Sequence, residues 1–353
     1  MTLVLAARPG EPFEKPANDE HRWCQDLARL CIRGYKDQVL ELMGSVPEAA
    51  RLASLPLDAD GNSALHLAVL GGHLQLTQAL LERGCKVDAK DRHGRSPLQV
   101  AALEGCEELA LELLLNGADV NSSDATGQTA LHNAALADRV EALQLILSQE
   151  SLNLAVADCF GVTPALLAAE YGKTEHLSLL LSKEPRLATA ANKSGWTPLH
   201  IAAHGLQKKR NSMKPAKFQS CVRMLLEVKA DVDARDENCK TALHRAAAAG
   251  NAETAAALLE AGANVAAADE CRWTPLHYAC QDGHLAVARL LLEAKADAGK
   301  ENPPCLTPLA VATMENQVKM AELLVKHNAD PNCRAKGLAS PLMIARKDPV
   351  KYT

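Results

Sequence analysis

Apolar residues recur along this chain in short stripes with helical spacing, interrupted by polar residues and glycines. Residues three and four positions apart share one face of a helix, so each stripe marks one side of a short amphipathic helix. Between residues 269 and 294 the two stripes are Leu276, Ala279 and Cys280, then Val287, Leu290 and Leu291. The pattern predicts a pair of helices joined by a turn at Gly283.

The helix pair is one copy of a longer repeat. A four-residue string recurs along the chain: Ser or Thr, then usually Pro or Ala, then Leu, then His. Successive copies begin 33, 33, 34, 34, 44, 33, 33 and 33 residues apart. Such regularity indicates a stack of repeats, in which no copy buries its apolar face alone. The string begins at Ser63, Ser96, Thr129, Thr163, Thr197, Thr241, Thr274, Thr307 and Ser340.

Each copy also carries the signals that start and end its helices. In the copy at 269–294, Asp269 can cap the turn with its carboxylate, and Thr274 can accept a hydrogen bond from an unpaired N–H of the first helix. Pro275 falls in the first helical turn, where proline loses no hydrogen bond.

The repeat resembles the ankyrin repeat, a turn followed by two antiparallel helices of about 33 residues. The resemblance covers residues 23–353. It implies an all-α fold, an ankyrin-repeat solenoid of about ten stacked helix-turn-helix units including N- and C-terminal caps. Counting the N-terminal cap as the first repeat, the others start near residues 58, 91, 124, 158, 192, 236, 269, 302 and 335.

The ends and one insertion depart from the repeat. Residues 1–20 are rich in proline and charge and predict a disordered tail before an ankyrin-repeat domain at 21–353. Two helices around Gly34 predict the N-terminal cap, and the copy from 335 predicts the C-terminal cap. The 44-residue gap places a basic insertion at 205–217, after which the second helix is expected to resume at Cys221. That segment is either a solvated loop or a nuclear-import or partner-docking segment.

The turn glycine changes late in the chain. Repeats two to six have glycine at the fourth turn position, whereas the later repeats have Cys239, Arg272, Cys305 and Leu338. Since glycine alone adopts left-handed backbone without penalty, the later turns are expected to be different or strained.

Composition narrows the functional class. The net charge of −5 and pI of about 6.2 argue against a nucleic-acid binder, and no apolar run approaches the ~20 residues of a membrane span. The 11 cysteines lack disulfide-like or zinc-like spacing, which favours free thiols in a reducing compartment. We expect a monomer in the cytoplasm, with the nucleus as a second location.

Histidines are numerous but do not indicate an enzyme. Five of the 12 occupy the same slot of the string, a slot that the family resemblance assigns to structure: His66, His132, His200, His244 and His277. Copies of one slot are separated by a helix-stacking distance of about 8–10 Å, too far for ligands of a single metal. No phosphate-binding loop, nucleophile elbow or His-Glu-x-x-His motif is present. We predict neither catalysis, nor a cofactor, nor a metal site.

The family resemblance also implies which surface binds. Counting from the Asp that opens each repeat, turn positions two, three and five and first-helix positions ten, thirteen and fourteen face outward; we call this the palm face. Five of the ten aromatic residues fall on it in repeats five, six and eight. Trp, Tyr and Arg dominate binding hot spots, which favours a protein partner here. The predicted binding residues are Phe160, Tyr171, Trp196, His204, Arg245, Trp273, Tyr278, Gln281 and Asp282. Alternatively, the rings only cover neighbouring turns.

Earlier repeats place other residues on the same positions. Repeats two to four have Leu67, Leu70, Val100, Leu103, Asn133 and Leu136 at positions ten and thirteen. Family members are often hydroxylated on an Asn in a Leu-x5-Asp-Val-Asn string, which Leu113–Asn121 matches. The resemblance therefore makes Asn121 a candidate for hydroxylation, the alternative being an ordinary turn asparagine.

Three functions fit these features. The leading hypothesis is an adaptor or scaffold that binds a protein through the concave ankyrin groove. The alternatives are a regulatory inhibitor that masks a transcription factor or enzyme, and the substrate-recognition subunit of a ubiquitin ligase. The last usually needs a further box after the repeats, for which the sequence before Thr353 leaves no room.

Overall fold

The computed structural model describes residues 20–46, 48–205, 215–302 and 306–332. Within these ranges the chain forms α-helices and one 3-10 helix, and its only β-bridge is an isolated pair between Asn302 and Leu306. Contacts divide the chain between Leu152 and Asn153, and we call the two parts the N-terminal block and the C-terminal block. The all-α repeat architecture is as predicted. The predicted tail, apart from Glu20, and the predicted C-terminal cap from 335 lie outside the described residues.

The N-terminal block stacks its helices in two layers. First helices pack in the order α1, α4, α6, α8, and second helices in the order α2, α5, α7, α9. The two helices predicted around Gly34 are present as α1 and α2, and the short α3 that follows was not predicted. The helices are α1 (Glu20–Arg33), α2 (Lys36–Gly44), α3 (Ala49–Ala53), α4 (Ala64–Leu70), α5 (Leu74–Glu82), α6 (Pro97–Glu104), α7 (Glu107–Leu115), α8 (Ala130–Leu136) and α9 (Glu141–Leu147).

The C-terminal block has the same two-layer order. First helices α10, α12, α14, α16 and α18 pack in sequence, as do second helices α11, α13, α15, α17 and α19. A 3-10 helix at Pro185–Ala188 follows α11. The helices are α10 (Pro164–Glu170), α11 (Thr174–Lys183), α12 (Pro198–His204), α13 (Pro215–Glu227), α14 (Ala242–Ala249), α15 (Ala252–Glu260), α16 (Pro275–Gln281), α17 (Leu285–Glu293), α18 (Pro308–Met314) and α19 (Val318–Lys326).

The predicted stripes form the core between the layers. Leu276, Ala279 and Cys280 on α16 have no exposed surface, and Val287 and Leu291 on α17 are equally buried. Small residues on the first helices let neighbouring repeats approach closely, because ridges of side chains must fit into the grooves of the next helix. Burial of these faces between repeats is the main source of stability.

In repeats two, three, six, seven and eight the string residues connect the first helix to the next repeat. In repeat eight the Thr274 N–H donates to His277 Nδ1 at 3.1 Å, and His277 Nε2 lies 3.2 Å from the carbonyl oxygen of Leu306. Since a carbonyl only accepts, Nε2 carries the proton and Nδ1 is the acceptor. Burial lowers the pKa of His277, in keeping with a neutral ring. We call this arrangement the histidine latch.

Turn tips are joined directly between repeats. The backbone N–H at turn position two donates to the carbonyl at position three of the preceding repeat, for example from Lys193 to Phe160 at 3.0 Å and from Glu237 to Ser194 at 3.1 Å. The fourth turn position has positive φ, 75° at Gly195. Cys239 and Arg272 keep this conformation, at φ 58° and 60°, so the predicted strain is present in both turns.

The insertion in repeat six is shorter than predicted. Helix α13 begins at Pro215 and not at Cys221, so residues 215–217 of the predicted insertion are helical. Burial of Phe218 explains the early start, because it lies three and seven positions before Cys221 and Leu225 on the same buried face. Residues 206–214 lie outside the described part of the chain, and the two interpretations of the insertion stay predictions.

Candidate partner-binding face

The palm face of the C-terminal block is built on three successive turns and first helices, in repeats six to eight. Each turn opens with an Asp or Asn whose side-chain oxygen accepts backbone N–H groups two or four residues later, as Asp236 Oδ1 does from Asn238 and Lys240, both at 2.9 Å. Position five of one repeat then contacts position ten of the next, as Trp196 does with Arg245 and Lys240 does with Tyr278. In repeat eight, Trp273 and Tyr278 also contact each other.

Arg245 joins two repeats. Its guanidinium lies over the Trp196 ring, 4.0 Å from the centroid, and its Nη2 donates to Asp236 Oδ2. The Asp236 side chain is fully buried. Burial alone would raise the pKa of Asp236, but the hydrogen bond and charge of Arg245, together with backbone N–H donors, lower it. The ion pair and the stacked guanidinium therefore hold Trp196 in a fixed position.

His204 completes this side of the face. Its ring meets the Trp196 ring edge-on, with 5.6 Å between centroids. Burial, reinforced by the charge of Arg245, lowers its pKa, so the ring is neutral near pH 7. Nδ1 of His204 and Nε of Arg245 are buried with no hydrogen-bond partner among the described residues.

Tyr278 and Trp273 form the other side. The Tyr278 hydroxyl donates to Asp269 Oδ2 at 2.7 Å, and its ring lies 5.2 Å from that of Trp273. Burial and the Asp269 carboxylate raise the pKa of Tyr278, which keeps the phenol neutral. Lys240 Nζ stands 4.7 Å from the Tyr278 centroid. Lys240 was missed by the sequence analysis, although it occupies position five.

The other four predicted binding residues lie at the tip of repeat five and at the ends of α10 and α16. Phe160, at the tip of repeat five, is 66% exposed and makes no ring contact with another described residue. Tyr171 is half-buried at the C-terminal end of α10, and Gln281 and Asp282 are exposed at the end of α16. The structure thus brings together Trp196, His204 and Arg245, and places Trp273 beside Tyr278, without testing whether any of them binds a partner.

Position ten was expected to face outward, but in the N-terminal block it is buried. Leu67, Val100 and Asn133 are all buried. The reason is contact with the preceding repeat, shown by Asn133 Nδ2, which donates to the Gln99 carbonyl at 3.0 Å. Leu70 and Leu103, at position thirteen, are exposed as predicted.

Asn121 lies in the turn after α7. Its side-chain amide donates to the Ser151 carbonyl at 2.7 Å, and its backbone N–H donates to Asp119 Oδ1 at 2.9 Å. Both contacts suit a structural turn asparagine, and hydroxylation stays a prediction that mass spectrometry of the peptide, after co-expression with the hydroxylase, would test.

Neither metal chemistry nor a membrane span is indicated in the described ranges. No three His, Cys, Asp or Glu side chains there are grouped so that they could hold a metal ion. No helix in the same ranges combines the length and apolar character needed to cross a bilayer.

Comparison with known proteins identifies the repeat. No curated protein matches the chain. A family model described as ankyrin repeats (3 copies) matches it in overlapping segments, at residues 27–124, 93–155, 108–186, 131–213, 190–269, 213–302 and 262–335. Together these segments span most of the sequence, including both blocks and the palm face. The chain therefore belongs to the ankyrin-repeat family.

Proposed function

We propose that this protein is an adaptor or scaffold that binds a protein partner through the palm face of repeats five to eight. Ankyrin repeats generally serve as protein–protein interaction modules and are typically non-enzymatic. In this proposal the protein acts as a monomer in the cytoplasm, with the nucleus as a second location.

The observation that carries the proposal is the ring cluster on the palm face. Trp196, Trp273 and Tyr278 are half-buried on this face. The chain has only ten aromatic residues, and these three are not used to fill the core. Their contacts with Arg245 and with one another fix their positions before any partner arrives. Side chains that are already ordered lose less entropy on binding, and Trp and Tyr are the residues most enriched in hot spots.

The test is a comparison of captured proteins between the native chain and a palm variant. The variant carries Trp196→Ala and Trp273→Ala but keeps Tyr278, whose hydroxyl bonds to Asp269. Quantitative mass spectrometry identifies proteins bound by the native chain, and titration of the purified partner then gives its affinity. We expect binding to weaken at least about tenfold, since each hot-spot ring contributes about 2 kcal/mol.

Val325→Ala is the matched control. Val325 is an exposed apolar residue on α19, in the layer of second helices, and its loss should leave the affinity unchanged. If the rings only cover neighbouring turns, the palm variant will melt at a lower temperature and bind its partner as tightly as the native chain. That result would refute the proposal.

A further inference from the structure

Lys240 is a cation on the palm face without a counter-ion among the described residues. Its ammonium makes neither a salt bridge nor a hydrogen bond with any of them, and its one contact of note is the Tyr278 ring at 4.7 Å. A ring face attracts a cation but offers no acceptor for its three N–H groups. The half-buried ammonium therefore keeps unused capacity for a negatively charged oxygen.

The carboxylates close to Lys240 are already occupied. Asp236 accepts from Arg245 and from two backbone N–H groups, and Asp269 accepts from the Tyr278 hydroxyl and the Trp273 N–H. Asp236 and Asp269 are buried, at 4% and 6% exposure, whereas Lys240 and Arg245 are partly exposed. A partner that approaches these two turns therefore meets Lys240 and Arg245, with Asp236 and Asp269 behind them.

The two titratable side chains beside Lys240 are uncharged. The charges of Lys240 and Asp269 both act on His244, but burial lowers the pKa of His244 to about 4, so its ring is neutral. Tyr278 is neutral as well, because burial raises its pKa. The surface next to these groups is apolar: Trp273 packs on Tyr278, and Ala248 and Ala249 are small residues at positions thirteen and fourteen of repeat seven. Gln281 and Asp282 are exposed at the end of α16.

A single positive charge beside an apolar wall is complementary to a short acidic and apolar segment. We propose that the partner segment bound at the palm face presents an Asp or Glu carboxylate to Lys240, next to an apolar side chain that packs on Trp273. This inference rests on the proposed function and specifies the chemistry of the partner. Arg245 is less available for this role, since Asp236 already neutralises it and Trp196 covers it.

A displayed library of random linear peptides tests the proposal with the full chain as the target. The native chain should enrich peptides with Asp or Glu next to an apolar residue. Lys240→Met should lose the acidic preference and bind those peptides roughly tenfold more weakly, and Lys240→Glu should select Lys or Arg in its place. The variants should fold, because the hydrogen bonds of Lys240 in the turn are made by its backbone, to Asp236 and His200.

Lys319→Glu is the control for the change in net charge, since Lys319 is exposed on α19. It should leave the selected peptides unchanged. Peptides that need Trp273 but show no acidic preference would overturn the inference and leave the proposed function standing. Peptides indifferent to both Lys240 and Trp273 would count against both. Preferential binding of a polyuridylate probe, lost in Lys240→Glu, would also overturn the inference, since it would assign Lys240 to a phosphate.

Discussion

The fourth turn position shows how backbone conformation limits the choice of residue. At Gly195 a Cβ atom would lie 2.8 Å from the backbone nitrogen of Glu237 in the next repeat, and φ is 75°. Arg272 holds the same position in repeat eight at φ 60°, with an exposed side chain. A left-handed residue with a Cβ costs about 1–2 kcal/mol, whereas glycine costs about 0.5–1 kcal/mol in chain entropy.

Arg272→Gly should therefore stabilise the protein. We expect the free energy of unfolding to rise by about 0.5–1 kcal/mol, because relief of the left-handed strain exceeds the entropy that glycine adds to the unfolded chain. Denaturation in urea, followed by circular dichroism, measures the change.

Two further substitutions are controls for that prediction. Glu270→Gly, at an exposed turn residue without positive φ, should lower stability, and Gly195→Ala should lower it more because of the contact with Glu237. Equal losses for Arg272→Gly and Glu270→Gly would show that the Arg272 backbone is not strained.

The positions of the palm residues followed from the sequence, but their contacts did not. Repeat numbering placed Trp196 and Tyr278 on the palm face, since every repeat has the same register. It could not show that Arg245 stacks on Trp196 in the neighbouring repeat, because such a contact depends on side-chain rotamers across the stack. Lys240 was not predicted for the same reason, because its role depends on its contact with the Tyr278 ring and on the occupied carboxylates around it.

At the scale of the helix, the histidine latch joins the first helices α4, α12, α14 and α16 to the following turn. His244 Nε2 lies 3.1 Å from the Trp273 carbonyl, and the Thr241 N–H donates to Nδ1 at 3.0 Å. Repeat three makes the same pair of bonds with Gln99, whose Nε2 donates to the Gln128 carbonyl at 2.7 Å while its Oε1 accepts from the Ser96 N–H at 3.0 Å. The chain thus contains its own latch that cannot titrate.

The latch makes stability depend on pH. Burial lowers the pKa of His244 to about 4, whereas the unfolded residue titrates near 6.5, so the unfolded state binds more protons between these values. The stabilising contribution is complete above pH ~6.5 and is lost as the pH falls towards about 4. His244 alone should lower the free energy of unfolding by roughly 2 kcal/mol between about pH 7 and about pH 5. Urea denaturation at a series of pH values measures this slope.

Glutamine exchanges provide the matched controls. His244→Gln should keep both latch bonds and reduce the pH slope, and Gln99→His should increase it. His66, His200 and His277 have pKa values lowered in the same direction, so some slope should remain in His244→Gln. An unchanged slope in both variants would show that these histidines do not control the acid sensitivity.

Most helices could be predicted from the sequence because each carries its own signals. The string at Thr274–His277 contains an N-cap, a proline in the first turn and a buried leucine, and α16 begins where these signals place it. Helix α3 and the 3-10 helix lack that string. Helix α3 packs on α1 and α2, and the 3-10 helix packs on α11 and begins at Pro185 with Glu184 as its cap. The early start of α13 could have been found from Phe218, which continues the apolar spacing of Cys221 and Leu225 backwards into the basic segment.

For the molecule as a whole, stability is distributed among neighbouring repeats. In the C-terminal block α14 packs against α12 on one side and α16 on the other, and Leu243 on α14 has no exposed surface. Repeat proteins of this kind behave as chains of nearest-neighbour interfaces. A defect in one repeat should therefore weaken its neighbours most, and its effect should decrease with each repeat along the stack.

Leu243→Ala should reveal this decay. Removal of a fully buried leucine costs about 2–5 kcal/mol, and the loss falls on the two interfaces that α14 makes. Amide hydrogen exchange should accelerate most in α12, α14 and α16 and least in α19, whereas the exposed Val325→Ala should leave exchange unchanged throughout. Equal acceleration of every helix in the C-terminal block would mean that the block opens as one cooperative unit. In that case the whole palm face would unfold together. If acceleration instead decreases with distance from α14, the turn of Phe160 stays folded while the turns around Trp273 open.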